Sequence, residues 1–178
     1  ENDLSNVDID ICNGNHCQQL GNKASARGFY IADINKDAAA PYALFSNNEV
    51  IINTSEPKLC YGFYIANNSK AELINNSILM LNDSISNGIH LYNGNVYLKA
   101  NNNNILVPNR LGTPIIIDGE KVTYEGDYNN YWSLTNCGTY KRGKYQDSIF
   151  DNKSDWMQAT SSDEHSVSIN VPLLDSNK

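Results

Sequence analysis

A phrase of one glycine followed by alternating apolar and aromatic residues recurs along this chain. It is Gly-Phe-Tyr-Ile-Ala at residues 28–32 and again at 62–66, and it returns more loosely at 88–92 and 112–116. The four glycines are 34, 26 and 24 residues apart. A phrase that restarts about every 25 residues is typical of solenoids, in which each unit packs on the unit before it. A hairpin protein also has short strands, but nothing in its architecture requires the same phrase to return.

Each glycine phrase is followed by a polar turn and then by a second short apolar run. The second runs cover residues 50–52, 78–81 and 96–98. All of these runs are short, rich in β-branched and aromatic residues, and separated by Asn, Gly and Ser. They therefore predict strands and argue against long helices.

Asparagines border the apolar runs where the chain has to bend. Asn53, Asn75, Asn76 and the run at 101–104 all occupy such positions. Asparagine tolerates left-handed backbone geometry, and its amide can bond to the same amide in the next coil. We therefore expect ladders of asparagine side chains along the solenoid.

Strand alternation divides each glycine phrase into an inner and an outer set of side chains. If the apolar positions face the core, one outer column remains on the same sheet face. The inner set is Phe29, Ile31, Phe63, Ile65, Ile89 and Leu91, and the outer set is Tyr30, Tyr64, His90 and Tyr92. Polar-tipped rings stacked about 4.8 Å apart would form a platform for sugar rings. The alternative is that the ring column only stabilises the stack, or that a loop covers it.

The repetition stops after about Gly126. We assign residues 1–126 to the β-helix coils, and 127–178 to a C-terminal coil and capping segment of the same domain. In that segment Ser154 is a candidate N-cap for a short helix at 155–159. An alternating strand is predicted at 167–174.

The capping segment also carries a family resemblance. It contains Asp-Tyr-Asn-Asn-Tyr at 127–131, Asp-Trp-Met-Gln-Ala-Thr at 155–160, Ser-Ser-Asp-Glu-His-Ser at 161–166, and Asn-Val-Pro at 170–172. These segments resemble the ending of pectin-lyase-like right-handed β-helix proteins, in the group of bacterial polysaccharide-acting and surface proteins. Ser162 stands where that ending usually has a turn glycine, and Val171 separates the asparagine from the proline.

The resemblance implies an all-β, right-handed, single-stranded parallel β-helix that ends in a capping loop, a short helix and a strand. It places Asp163, Glu164 and Ser166 in a capping turn, although the same residues with His165 invite a metal or nucleophile interpretation. It further implies the C-terminal portion of a secreted or cell-surface protein that binds or processes polysaccharide. The expected partners are a glycan and the rest of a longer β-helix chain. The alternative is a non-enzymatic structural or adhesin-like module.

The sequence leaves open whether the protein is an enzyme. Glycosidic hydrolysis needs two matched acids, and Asp33 and Asp118, the only acids just past the glycine strands, lie coils apart. For a uronate lyase, Lys70, Lys99 or Arg110 could be the base or neutralise a carboxylate, although each is more commonly a solvated turn residue. We include these three cations with the ring column as candidate carbohydrate-binding residues.

Charge and cysteine content narrow the partners further. The net charge is −7 and no basic run exceeds two residues, which argues against nucleic-acid binding. The sequence contains no stretch of about 18 apolar residues, so no membrane insertion is predicted.

No metal or cofactor is predicted: calcium has no motif here, and Cys12, His16 and Cys17 lack a further zinc ligand pair. Cys12 and Cys17 could instead close a small disulfide loop, and the full set is Cys12, Cys17, Cys60 and Cys137.

Overall fold

The computed structural model describes residues 2–5, 11–20, 26–35, 39–54, 59–82, 85–136, 138–141 and 148–171. Short strands dominate the described residues, and one helix follows them. The strands, in chain order, are β1 (Asn2–Ser5), β2 (Ile11–Asn13), β3 (His16–Leu20), β4 (Arg27–Ala32), β5 (Ala43–Ser46), β6 (Glu49–Asn53), β7 (Cys60–Ala66), β8 (Ser69–Ile74), β9 (Ser77–Met80), β10 (Ser86–Tyr92), β11 (Val96–Asn101), β12 (Asn104–Val107), β13 (Thr113–Asp118), β14 (Val122–Asp127), β15 (Asn130–Ser133), β16 (Gly138–Lys141) and β17 (Ser148–Phe150), and helix α1 spans Lys153–Thr160.

Strands β1 to β13 each pair with the strand three places further along the chain, so that each coil adds one strand to each of three sheets. Sheet one has the order β1-β4-β7-β10-β13-β16-β17, sheet two β14-β11-β8-β5-β2, and sheet three β15-β12-β9-β6-β3. All of these pairings are parallel except that of β16 with β17. The prediction of an all-β parallel solenoid is therefore confirmed. The right-handed sense of the coil stays a prediction.

The core lies between the three sheets and contains the predicted inner residues. All six are at most 1% exposed, and the rings of Phe29 and Phe63 stack with their centroids 4.6 Å apart. The glycine that begins each phrase is explained by close packing against the same core. A Cβ on Gly28 would lie 2.5 Å from Val50, and one on Gly62 would lie 2.5 Å from Ile78. Any larger residue would therefore displace the facing strand.

An asparagine ladder occupies the turn between sheets two and three. It consists of Asn15, Asn48, Asn76, Asn103 and Asn129. Each side-chain amide donates to the Oδ1 atom of the next member, at distances of 2.9–3.0 Å. The same Oδ1 atoms accept the backbone N–H of the preceding member, and all members after Asn15 are buried. The predicted ladder is confirmed for Asn76 and Asn103.

Every ladder member follows a residue with a left-handed backbone. This preceding residue turns the chain so that the asparagine side chain lies inside the coil. The preceding residues are Gly14, Asn47, Asn75, Asn102 and Tyr128, with φ between 53° and 69°. Asn53 follows no such residue and its side chain is exposed. The prediction that Asn53 belongs to an asparagine ladder is therefore wrong.

The C-terminal end of the ladder is closed by Asp163. Its carboxylate accepts the amide of Asn129 at 3.2 Å and the hydroxyl of Ser166 at 2.6 Å. It also accepts the hydroxyl of Tyr124 at 2.7 Å and the indole N–H of Trp156 at 2.8 Å. Asp163 is 1% exposed, so these donors replace water in stabilising its charge. The predicted capping turn at this residue is confirmed.

The phrase at 127–131 fastens the rest of the cap. The hydroxyls of Tyr131 and Tyr124 lie 2.6 Å apart, and because Tyr124 donates its proton to Asp163, Tyr131 is the donor of this bond. Burial raises the pKa of both tyrosines well above the ordinary value, so both keep their protons. The side chain of Asn130 bonds to the backbone N–H and C=O of Ile169, at 2.9 and 3.0 Å.

Two details of the predicted cap are wrong. Helix α1 begins at Lys153 and its N-cap is Asn152, not Ser154, because the Asn152 side chain accepts the backbone N–H of Asp155 at 3.0 Å. The predicted final strand is reduced to one bridge between Val167 and Asn130. Residues 168–171 form no strand because side-chain bonds of Asn130 replace a backbone ladder there, and 172–174 lie outside the described residues.

The disulfide considered between Cys12 and Cys17 is absent. Both are free thiols, on strands of two different sheets. Cys12 Sγ accepts the Asn15 amide at 3.1 Å, and burial raises the pKa of the Cys12 thiol. Cys137 lies outside the described residues.

In the part of the chain that the structure describes, no helix has the length and apolarity needed to span a membrane.

Candidate functional site

The outer surface of sheet one carries a cluster of aromatic rings and one arginine, which we call the outer aromatic face. Its members are Arg27, Tyr30, Tyr61, Tyr64, His90 and Tyr92. Strand pairing places Tyr30 opposite Tyr64 and Tyr64 opposite His90, so that the predicted register of the column is confirmed. The rings of Tyr30 and Tyr64 are nearly parallel, with centroids 5.6 Å apart, and Tyr92 lies 5.8 Å from Tyr64.

Arg27 and Tyr61 belong to this face although the sequence interpretation missed them. Tyr61 is two residues before the core residue Phe63, and regular alternation would direct both inward. Instead Gly62 faces the core and the Tyr61 side chain lies on the outer surface. The ring centroids of Tyr61 and Tyr64 are 4.8 Å apart. The signal available in the sequence was the glycine itself, because a glycine in a strand marks interrupted alternation.

A cation is held among the tyrosine rings. The guanidinium carbon of Arg27 lies 5.0 Å from the centroid of Tyr30, 5.1 Å from Tyr64 and 5.8 Å from Tyr61. Burial raises the pKa of Tyr61 and Tyr64, and the charge of Arg27 opposes this only partly. The phenol groups therefore remain protonated and can donate hydrogen bonds at neutral pH. The face offers ring surfaces, hydroxyl donors and one positive charge together.

His90 is outward-facing but covered by its neighbours. Its ring lies 5.3 Å from Tyr61, 5.2 Å from Tyr64 and 5.7 Å from Tyr92, and the residue is 7% exposed. On its other side, Nε2 lies 3.7 Å from Oδ2 of Asp118, which is 8% exposed. This pair combines a ring nitrogen with a carboxylate, the groups that bind sugar hydroxyls or move a proton.

The two acids considered for glycosidic hydrolysis do not form a pair. Asp33 follows β4 and accepts the amide of Asn67 at 3.1 Å, whereas Asp118 ends β13, three strands away in sheet one. Strand spacing alone separates them by about 14 Å. The carboxyl groups of glycosidases are about 5 to 9.5 Å apart.

A groove continues the outer aromatic face toward the C-terminal end of sheet one. We call it the sheet-one groove, and its volume is about 680 Å³. Apolar side chains form its rim, and polar groups of sheet one form most of its floor. The rim is Leu59, Ile85, Leu111 and Ile149, and the floor is Asn87, His90, Thr113, Ile116, Asp118 and Thr139.

The three candidate cations lie away from the ring column. Lys70 and Lys99 are on β8 and β11 of sheet two. Lys70 Nζ donates to the carbonyl of Ala40 at 3.2 Å, and Lys99 Nζ lies 3.8 Å from Glu125. Arg110 is exposed in the turn between β12 and β13. The structure therefore brings together Tyr30, Tyr64, His90 and Tyr92, but not the cations predicted beside them.

Among the described residues, no three His, Cys, Asp or Glu side chains lie close enough together to hold a metal ion. No protein-family model, no curated protein and no solved structure matches this chain. The fold itself defines the class: a parallel β-solenoid with an aromatic outer sheet and a closed C-terminal end.

Proposed function

We propose that this chain binds or processes polysaccharide through the outer aromatic face, as the C-terminal portion of a secreted or cell-surface β-helix protein. The observation that carries the proposal is the grouping of four tyrosines, one histidine and one arginine on a single outer sheet surface. Aromatic side chains with polar tips suit sugars, whose rings have apolar faces and hydroxyl edges.

The shape of this surface supports a chain-like ligand. The column that contains Tyr30 continues in register through Tyr64, His90 and Ile116 to Thr139. Because neighbouring strands lie about 4.8 Å apart, the column is about 19 Å long. A polymer lying along the solenoid axis would meet a new side chain at each coil. A small compact ligand would use only part of this surface.

The resemblance to pectin-lyase-like proteins concerns a different part of the chain. The resembling residues lie in the cap, where Asn129 extends the ladder and Asp163 closes it. They therefore bear on the fold of the ending and leave the chemistry of the outer face open. Arg27 on that face, and His90 with the adjacent Asp118 of the groove, are the groups suited to anionic or hydroxyl-rich sugars.

The experiment is a screen of the whole chain against immobilised neutral and acidic glycans. We expect selective binding to polysaccharides, weakened about tenfold by Tyr30→Ala, since a lost ring contact costs about 1.4 kcal/mol. The matched control is Tyr97→Ala, a 36% exposed tyrosine on sheet two. No binding to any glycan, or equal losses in both variants, would contradict the proposal. Ultraviolet absorbance of unsaturated products in the same mixtures tests for lyase activity.

A second candidate function is a non-enzymatic module for rigid display. The observation that favours it is the continuous, buried asparagine ladder, which ties successive coils together. A spacer needs that regularity and no ligand. The glycan screen distinguishes the two candidates, because a spacer gives no glycan signal that depends on Tyr30.

A further inference from the structure

Beside the outer aromatic face, sheet one carries a second column, and this one is apolar. Leu59, Ile85 and Leu111 precede β7, β10 and β13, and the register of those strands aligns the three residues. They are 37%, 53% and 61% exposed, and Ile149 of β17, at the C-terminal end, is 65% exposed. Exposed apolar residues grouped around one groove mark an interaction site more than scattered ones do.

The floor between these side chains is polar. Asn87, Thr113 and Thr139 contribute an amide and two hydroxyls, and His90 and Asp118 line the same floor. A wholly apolar ligand would cover these groups without satisfying them, which is unfavourable. A free carboxylate would be placed against Asp118. The groove therefore suits a neutral group with an apolar end and a hydrogen-bonding end.

We propose that the sheet-one groove receives an acyl substituent, such as an acetyl group, of the polysaccharide bound on the outer aromatic face. The methyl group packs against the apolar rim, and the carbonyl oxygen accepts hydrogen bonds from the floor. His90 belongs both to the aromatic face and to the groove, so one sugar chain can occupy the two surfaces together. This inference rests on the proposed function and adds the substrate class: acylated glycans.

The test uses two glycan pairs that differ only in acetylation. One pair is O-acetylated glucomannan and the same polymer after mild alkaline deacetylation, and the other is alginate with and without chemical O-acetylation. Affinities are measured by calorimetry with the whole chain. We expect at least one acetylated partner to bind about fourfold more tightly or better, the factor for burying one methyl group.

Variants locate the preference within the molecule. Ile85→Ser should abolish it and leave affinity for the deacetylated partner unchanged. The matched control is Leu134→Ser, whose leucine is 56% exposed and lies outside the groove. This control should retain the preference. Both substitutions are at exposed positions, so thermal unfolding should be nearly unchanged.

Three results would overturn the inference. The first is equal affinities within both pairs, and the second is no binding of either pair. The Tyr30→Ala result on the glycan screen shows separately whether the proposed function stands. The third is a wild-type dimer that Ile85→Ser converts to a monomer in gel filtration, without any acetyl preference. That outcome would assign the groove to a second copy of the chain.

Discussion

Two columns of side chains run along the same solenoid, and they differ in how strictly they repeat. The asparagine ladder has the same residue type in every coil from Asn15 to Asn129, with the same hydrogen bonds. The outer column of sheet one changes at almost every step, from tyrosine to histidine, isoleucine and threonine. The two columns share the coil spacing, so the difference lies in what each column contacts.

The ladder bonds to buried groups inside the turns, whereas the outer column lies on the outer surface of sheet one. Inside the turn, replacing one asparagine by an apolar residue would leave a backbone N–H and a C=O group of the preceding coil unsatisfied. On the outer sheet, a changed side chain alters the surface and leaves the backbone pairing intact. The strict repetition of asparagine in the ladder indicates a role in stability. The variation of residue type in the outer column indicates a surface that can carry a function.

The largest effect should come from Asn76→Ala, in the middle of the ladder. The substitution removes bonds to Asn48, Asn103 and the carbonyl of Phe45, all of them buried. We expect a loss of about 3 kcal/mol in the free energy of unfolding, measured with urea, because several buried groups lose their partners. The matched control is Asn95→Ala, since Asn95 makes an exposed inter-coil bond and should lose less than about 0.5 kcal/mol. Equal losses would erase the distinction between buried and exposed asparagine pairs.

A smaller effect is expected in the outer column. Tyr30→Thr introduces the residue that Thr139 already contributes to the same column. It removes the ring stacking on Tyr64 and the contact with Arg27. The loss of unfolding free energy should be about 1 kcal/mol, measured with the same urea titration. A loss as large as that of Asn76→Ala would show that the ring column stabilises the stack, as the alternative interpretation of the sequence holds.

The smallest effect concerns an exposed pair that fastens the cap to sheet two. His165 Nδ1 lies 2.7 Å from Asp127 Oδ2, and this bond raises the pKa of His165. Burial acts against ionisation of Asp127, yet hydrogen bonds from His165 hold the pKa of Asp127 below its ordinary value. The nearby charges of Glu164 and Lys153 act on His165 in opposite directions.

The sign of the pH dependence follows from these two shifts. The raised pKa of His165 stabilises the fold below its ordinary value of 6.5, and this contribution is lost as pH rises through the raised value. The lowered pKa of Asp127 contributes above its ordinary value of 3.8 and is lost as pH falls through the lowered value. The Tm difference between wild type and His165→Gln should therefore be largest between 3.8 and 6.5. A difference that grows toward alkaline pH would contradict the pairing.

The sequence was sufficient to predict the glycine strands because their pattern combines a repeat with an alternation. Phe29 and Phe63 share a core position, and Tyr30 and Tyr64 an outer one, within an almost identical phrase. The existence of an asparagine ladder was predicted, but only some of the asparagines that form it were identified. Its members are recognised by the left-handed residue before them, and that residue is Gly14 in one coil and Tyr128 in another. Backbone geometry, which composition does not display, defines the repeat.

The site was harder to predict than the fold. Tyr61 was missed because Gly62 interrupts the alternation on which the prediction relied. Lys70 and Lys99 were grouped with the rings because a uronate lyase needs a base or a cation, and the sequence does not show which of the three sheets they join. Asp118 approaches His90 through the packing of neighbouring coils, a contact between residues 28 positions apart. Contacts of this kind depend on the exact coil length, which varies along the chain.

The asparagine ladder also has a direction. Every amide points its N–H group toward the next coil and its oxygen toward the previous one, so the side-chain dipoles from Asn15 to Asn129 add head to tail. Asp163 places a negative charge at the positive end of that array, as an anion does at the N-terminus of a helix. Bonds aligned in series polarise one another, so the ladder acts as one cooperative unit. A coil inserted by design would have to keep this polarity. If its amide were flipped, the amide N–H would face the N–H of the previous ladder member, and the series of hydrogen bonds would be broken.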